Sequence, residues 1–181
     1  MTKTARYIIL CEDRQTQCLI FDFLKVQNIN RRKIRCYPLP ADTDSGCGEA
    51  YVRQHYPEEL QYLRSKNYND VILFVCIDAD SETFKHRYEQ LEEACRKPGI
   101  PVRTGKDAVA YFIPKRNIET WIQWYTDKSA NETDTYPHKR GHEADCKEQA
   151  GKMAEDFNSG VFEAGELQSI TAAKKEYEKL P

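Results

Sequence analysis

Four short apolar runs, each followed by a stretch of helical pattern, constrain this chain more than any other feature. They are "RYIILC" (6–11), "KIRCYPL" (about 33–39), "VILFVCI" (71–77) and "AVAYFI" (108–113). Each is too short for a buried helix and rich in branched or aromatic residues, as a strand covered on both faces should be. Between them lies "RQTQCLIFDFLKVQN", where Cys18, Leu19, Phe21, Phe23 and Leu24 fall in a helical window. The next helical stretch, "AYVRQHYPEELQYLRSK", contains Pro57, which is expected to break or kink it. "SETFKHRYEQLEEACRK" sets charges around an apolar stripe of Phe84, Tyr88, Leu91, Ala94 and Cys95, and "NIETWIQWY" (117–125) reads as a short helix. The order β-α-β-α-β-α-β-α implies an α/β fold, a three-layer Rossmann-like parallel sheet of about four strands with helices on both faces. Residues 1–126 make up this α/β domain. From 127 to 181 a polar loop leads to two helical windows, "EADCKEQAGKMAEDF" and "AGELQSITAAKKEYEKL", which read as a C-terminal extension packing on it.

The 181 residues suit one such unit with an elaborated tail. With a net charge of -2, the chain is not a uniformly basic nucleic-acid coat, although a local basic patch stays open. No apolar run approaches the eighteen or so residues that a transmembrane helix needs. "MTKTARYIIL" enters a strand directly and has no signal-peptide pattern. Seven scattered cysteines without a CxxC pair point to reduced thiols in the cytoplasm, with Cys11, Cys36 and Cys76 as core fillers. Self-association into a homo-oligomer is left open.

The third run ends abruptly in "DAD". Asp78 and Asp80 repel each other, so either a divalent cation compensates them or they are solvated. The first run ends in "CED", Glu12 and Asp13. Open α/β sheets bind ligands beyond the carboxyl ends of their strands, where strand order reverses. With the order 2-1-3-4, Glu12 faces Asp78 and Asp80 across one crevice. Hard oxygen donors of this kind suit Mg²⁺ (or Mn²⁺), which keeps several waters and bridges to substrate phosphates.

A glutamate closing the first strand and an Asp-x-Asp closing a later one resemble the TOPRIM domain of topoisomerases, bacterial primases and overcoming-lysogenization-defect nucleases. The likeness covers roughly residues 5 to 125. The segment "IPKRNIETWI" (113–122) is also similar to a helix that follows the fourth strand in small TOPRIM-like proteins of bacterial defence loci. The resemblance implies Mg²⁺-dependent phosphodiester chemistry on nucleic acid, with Asp78 and Asp80 holding metal and Glu12 acting as ligand or general acid/base. It also implies a partner protein, an ATPase that holds or activates the chain. The glycine that often follows the TOPRIM glutamate is missing from "CEDRQTQ", and no topoisomerase tyrosine or primase zinc module is recognisable. A nuclease is therefore the expected activity.

Other residues carry paired expectations. Glu119, one turn into its helix, is a candidate catalytic carboxylate that would help hold a second metal; alternatively it is an acid favoured near a helix N-terminus. Lys115 and Arg116 follow the fourth strand, where they can meet a scissile phosphate or form a surface pair. Gly46 and Gly48 precede a helix and can cradle a phosphate of nucleic acid or make a plain turn; no Walker A motif is present. Asp13 and Asp80 can also serve as helix N-caps. Trp121 and Trp124 are expected in the core or at an interface. "NRRKIR" (30–35) is basic but lies at the other end of the sheet. His138, His142 and Cys146 fall at four-residue steps, a weak zinc pattern. Two rival functions remain: a phosphoacceptor receiver built on Glu12/Asp13, Asp78 and Lys115, and a non-catalytic interaction module.

Overall fold

The four apolar runs form a single sheet. In the computed structural model, which describes residues 6–40, 48–66, 71–138, 145–163 and 165–181, they become β1 (Arg6–Cys11), β2 (Ile34–Cys36), β3 (Val71–Cys76) and β4 (Val109–Phe112). All pairings are parallel, in the order β2-β1-β3-β4. The first two strands to be laid side by side in the middle, β1 and β3, run in register from Arg6↔Val71 to Cys11↔Cys76. Glu12 and Asp78 therefore leave neighbouring strands at the same edge.

Pleating sends alternate residues to opposite faces. Ile9, Cys11, Ile72, Phe74, Cys76, Ala110 and Phe112 face one core. This core is covered by α1 (Arg14–Val26), α4 (Ile118–Asp127), α5 (Lys147–Ser159) and α6 (Gln168–Tyr177). Ile8, Leu10, Leu73, Val75, Val109 and Tyr111 face the other, under α2 (Gly48–Ser65) and α3 (Phe84–Arg96). The fold is α/β and Rossmann-like, with helices on both faces. Residues beyond 127 belong to its packing: Met153, Phe157 and Ile170 are buried in the first core.

Three local expectations change. Pro57 lies inside α2 without ending it. It removes one backbone donor, whereas Val52, Tyr56, Leu60 and Leu63 are all fully buried against the sheet and hold the helix through that position. β2 stops at Cys36, three residues short of the apolar run, because Pro38 has no N–H for the ladder. The cap of α3 is Thr83, whose hydroxyl accepts the His86 N–H at 3.1 Å, so Asp80 is not its cap. Asp13 does cap α1, accepting the Thr16 N–H at 2.8 Å. Trp121 is buried, with its indole N–H donated to Ser169 at 2.8 Å, and Trp124 is buried too. The six described cysteines are free thiols; Cys11 and Cys76 are buried and Cys36 is half-buried. Among the described residues, no helix is long and apolar enough to cross a membrane.

Candidate functional site

The crevice between the carboxyl ends of β1 and β3 collects acidic side chains from four elements. Glu12 leaves β1, and its Oε1 accepts the backbone N–H of Asp78 at 2.6 Å. Burial lifts the Glu12 carboxyl from its ordinary 4.5 to about 8; the Asp78 N–H and the Arg87 charge work against the rise, while Asp80 and Asp13 add to it. Asp78 is also pushed well above the ordinary range, first by burial and then by the charges of Glu12, Asp13, Glu119 and Asp80. Asp78 thus lies within electrostatic reach of four other carboxylates, with burial the larger cause of its raised carboxyl.

Beyond β3 the chain stays paired with the segment after β4. Ile77, Ala79 and Asp80 donate their N–H groups to the carbonyls of Phe112, Pro114 and Arg116 at 3.1, 2.8 and 2.8 Å. Asp80 and Arg116 face each other in an antiparallel bridge. Both have left-handed backbones, φ 52 and 68. Such conformations cost about 1–3 kcal/mol each away from glycine and concentrate at functional sites. Here they turn the chain out of the strand direction, and the Asp80 carboxylate meets Arg87.

The cationic partner of this cluster is Arg87, which the sequence reading did not single out. It is 5% exposed. Its Nη2 donates to Asp80 Oδ2 at 2.8 Å, and its Nη1 lies 3.0 Å from Glu49 Oε2 and 2.9 Å from Gln90 Oε1. The signal for it was available: the buried residues of α3 are Arg87, Leu91 and Cys95, spaced four apart, so an arginine occupies the first turn of the apolar spine. Glu49 is also bound by Arg53 through two bonds of 2.6 and 2.9 Å.

Glu119 is buried in the first turn of α4, and its Oε1 lies 2.6 Å from His138 Nδ1. His138 was weighed only as a zinc ligand; its described partner is this carboxylate, and His142 lies outside the described residues. Lys115 and Arg116 do not lead straight into the cluster. Lys115 Nζ donates to the carbonyls of Ser81 and Glu82, and Arg116 Nη2 to the carbonyl of Thr133 at 2.8 Å. Lys115 also stands on the wall of a 350 Å³ cavity shared with Ala79, Thr83 and Glu132. In the basic "NRRKIR" segment, Arg35 forms an ion pair with Glu59.

Gly48 begins α2 directly against Glu12. A Cβ built there would lie 2.8 Å from Glu12 Cβ and 3.1 Å from its Oε2, so the close approach by itself requires glycine. Gly46 lies outside the described residues. Gly48→Ala is expected to cost about 1–3 kcal/mol through overpacking and to weaken any cation binding that uses Glu12. Denaturant unfolding and a metal titration on the variant check both effects; an unchanged pair of values would mean that α2 yields freely.

The raised carboxyls also fix a pH dependence. Glu12 holds its proton to about 8 in the folded chain but only to about 4.5 when unfolded. The folded state therefore binds more protons in that window, and Asp78 acts in the same direction. Their contribution to stability is fully present below the unfolded value and is lost as pH rises through about 8. With a chelator present, the thermal midpoint is expected to fall between pH 5 and 8, less steeply in Glu12→Gln. A midpoint that rises across this range for the wild type, or an equal slope in the variant, contradicts this.

Among the described residues, no three or more His, Cys, Asp or Glu side chains are grouped so that they could hold a metal ion. The donor chemistry nevertheless fits Mg²⁺ or Mn²⁺: the facing donors are carboxylate oxygens, and Mg²⁺ typically takes one or two protein carboxylates and completes its shell with water and phosphate. Comparison of the chain with protein-family models, curated proteins and solved structures found no match.

Proposed function

We propose that the chain is a metal-dependent nuclease, binding Mg²⁺ or Mn²⁺ at the β1–β3 crevice and hydrolysing phosphodiester bonds in nucleic acid. The observation that carries this reading is Glu12 and Asp78 side by side at the ends of the paired strands β1 and β3, with Glu12 Oε1 2.6 Å from the Asp78 N and Asp80 two residues on; a divalent cation would hold these carboxyls ionised. The step from cation to nuclease rests on the resemblance of Glu12 and Asp78-x-Asp80 to the TOPRIM arrangement.

In this reading Asp78 and Asp80 hold the cation, and Glu12 is a further ligand or the acid/base group. When bound, such a cation supplies Lewis-acid polarisation of a phosphate and a more acidic water. The chain's own part is to place the carboxylates. β1 and β3 fix Glu12 and Asp78 side by side. Asp80 follows in a left-handed turn, and Arg87 orients its carboxylate through a 2.8 Å bond. Glu119, close enough to act on the charge of Asp78, is oriented by His138. Lys115 and Arg116 would reach a bound phosphate only by leaving their carbonyl partners. A partner ATPase, implied by the likeness to defence-locus proteins, would hold or activate the chain.

The test is a calorimetric titration with Mg²⁺ and Mn²⁺ beside a cleavage assay on plasmid DNA and tRNA. Binding together with chelator-sensitive cleavage is the expected result. If no metal binds even with nucleic acid present, the reading fails and the chain is better described as a non-catalytic binding module.

A further inference from the structure

Two of the free thiols meet where α5 packs on α1. Cys18 lies midway along α1, and Cys146 stands at the head of α5. Their thiols are hydrogen-bonded to each other, and the Cys146 backbone N–H also donates to the Cys18 sulfur. The Cys146 sulfur lies 4.0 Å from the carbonyl of Gln15, three residues before Cys18 on the same helix face.

The two sulfurs differ in their surroundings. Cys146 is 1% exposed, and its bond to Cys18 and its burial push its thiol up. Cys18 is half-buried and stands on the wall of a 500 Å³ cavity, beside Arg14, Arg31 and Cys36. The Cys146 thiol, aided by the Cys146 N–H, brings the Cys18 thiol below its ordinary value. It does so against burial and against Asp22, whose Oδ2 lies 3.8 Å away and whose Oδ1 is paired with Lys25. Cys36, on the same cavity, is pushed up by burial and by the charge of Cys18. One accessible sulfur is therefore held toward its thiolate, with a buried, protonated sulfur in contact behind it. Thiols that respond to oxidants share this arrangement, an accessible thiolate next to a resolving cysteine.

We propose that Cys18 and Cys146 are a redox-active pair, in which a hydroperoxide oxidises Cys18 and Cys146 then closes a disulfide that clamps α5 to α1. The Cys18 thiolate attacks one peroxide oxygen. The S–O bond forms, the O–O bond breaks, and the leaving oxygen takes up a proton as water or an alcohol. The Cys146 thiol then gives up its proton and attacks the Cys18 sulfur. The S–S bond forms, the S–O bond breaks, and hydroxide leaves with that proton as water. Two electrons pass from the two sulfurs to the peroxide, and a dithiol reductant restores both thiols. This inference does not depend on a metal at the β1–β3 crevice.

The test treats the full chain, in chelator, with hydrogen peroxide and then iodoacetamide, and maps its peptides by mass spectrometry. A Cys18–Cys146 linked peptide is expected in the wild type, and dithiothreitol should remove it. The oxidised wild type should melt roughly 4–16 °C higher, because the bond closes a long loop of the unfolded chain. In Cys146→Ser, Cys18 is expected to stop at the sulfenic acid and to be trapped by dimedone. A Cys18–Cys36 link, a dimedone adduct on wild-type Cys18 in place of the link, or an unmodified Cys18 overturns the proposal. These wild-type outcomes decide it even if Cys146→Ser does not fold. A linked pair that melts no higher than the reduced chain overturns the clamp.

Discussion

Asp78→Asn is expected to abolish metal-dependent cleavage while making the metal-free protein more stable. The two effects have one cause. Asp78 sits where burial and the charges of Glu12, Asp13, Glu119 and Asp80 all oppose ionisation. Asparagine keeps the shape and an acceptor oxygen but removes the charge. The apo fold is then relieved of the cost of protonating a buried carboxyl whose pKa is raised, and each kcal/mol regained raises the midpoint by about 2–4 °C in a chain of this size. The same change removes the central anionic donor of the proposed metal site. Loss of groups that merely support a metal ligand costs about 10–100-fold, so loss of the ligand itself should exceed ~100-fold. Parallel unfolding curves in chelator and cleavage assays in Mg²⁺ check the prediction. Unchanged cleavage would remove Asp78 from the chemistry. A large loss of stability would show that the carboxylate is held by partners instead of being repelled.

The strands were legible because their signal is local and cumulative; their order was only an assumption, which the structure bears out. "RYIILC" and "VILFVCI" are continuous apolar runs, and β1 and β3 occupy them almost residue for residue. Once β1 and β3 are neighbours, the ends of these runs put Glu12 beside Asp78. The rest of the site depends on tertiary placement, which single residues do not announce. Asp80 could also be read as a helix cap; the left-handed turn and the bridge to Arg116 give it another position. Glu119 carried no sign of His138, nineteen residues away and in a polar loop. Arg87 did carry one, its spacing with Leu91 and Cys95, but a charged residue at that step of an apolar stripe is ordinarily solvated, and here burial comes only from the tertiary contacts to Asp80 and Glu49. Lys115 and Arg116 follow the right strand, yet the turn after β4 spends their charges on main-chain carbonyls. A position after a strand is readable from sequence; the direction of a long cationic side chain there is not.

The second large effect lies far from the crevice, at the edge of the sheet. Glu176→Ala is expected to destabilise the fold by about 3–5 kcal/mol, the range for leaving one member of a buried ion pair unmatched, and to lower the midpoint by roughly 6–20 °C. β4 is an edge strand, so some of its N–H groups point away from β3. Glu176, on α6, accepts one of them, the Tyr111 N–H, at 3.2 Å and forms a buried ion pair with Arg103. Arg103 in turn donates to the Val109 carbonyl at 2.8 Å and lies 3.9 Å over the Tyr111 ring. Burial alone would raise the Glu176 carboxyl, but Arg103, Lys179 and the Tyr111 N–H together bring it below its ordinary value. That stabilisation is present above the unfolded carboxyl value and is lost as pH falls through the folded one. Alanine would remove the acceptor and leave the guanidinium buried against an open strand edge. Denaturant unfolding measures the loss, and Mn²⁺ titration below the new midpoint should show the crevice unaffected. A change under about 1 kcal/mol, the range of an exposed pair, would mean that α6 merely rests on the sheet; a loss of the predicted size makes the last helix the clasp that closes the edge of β4.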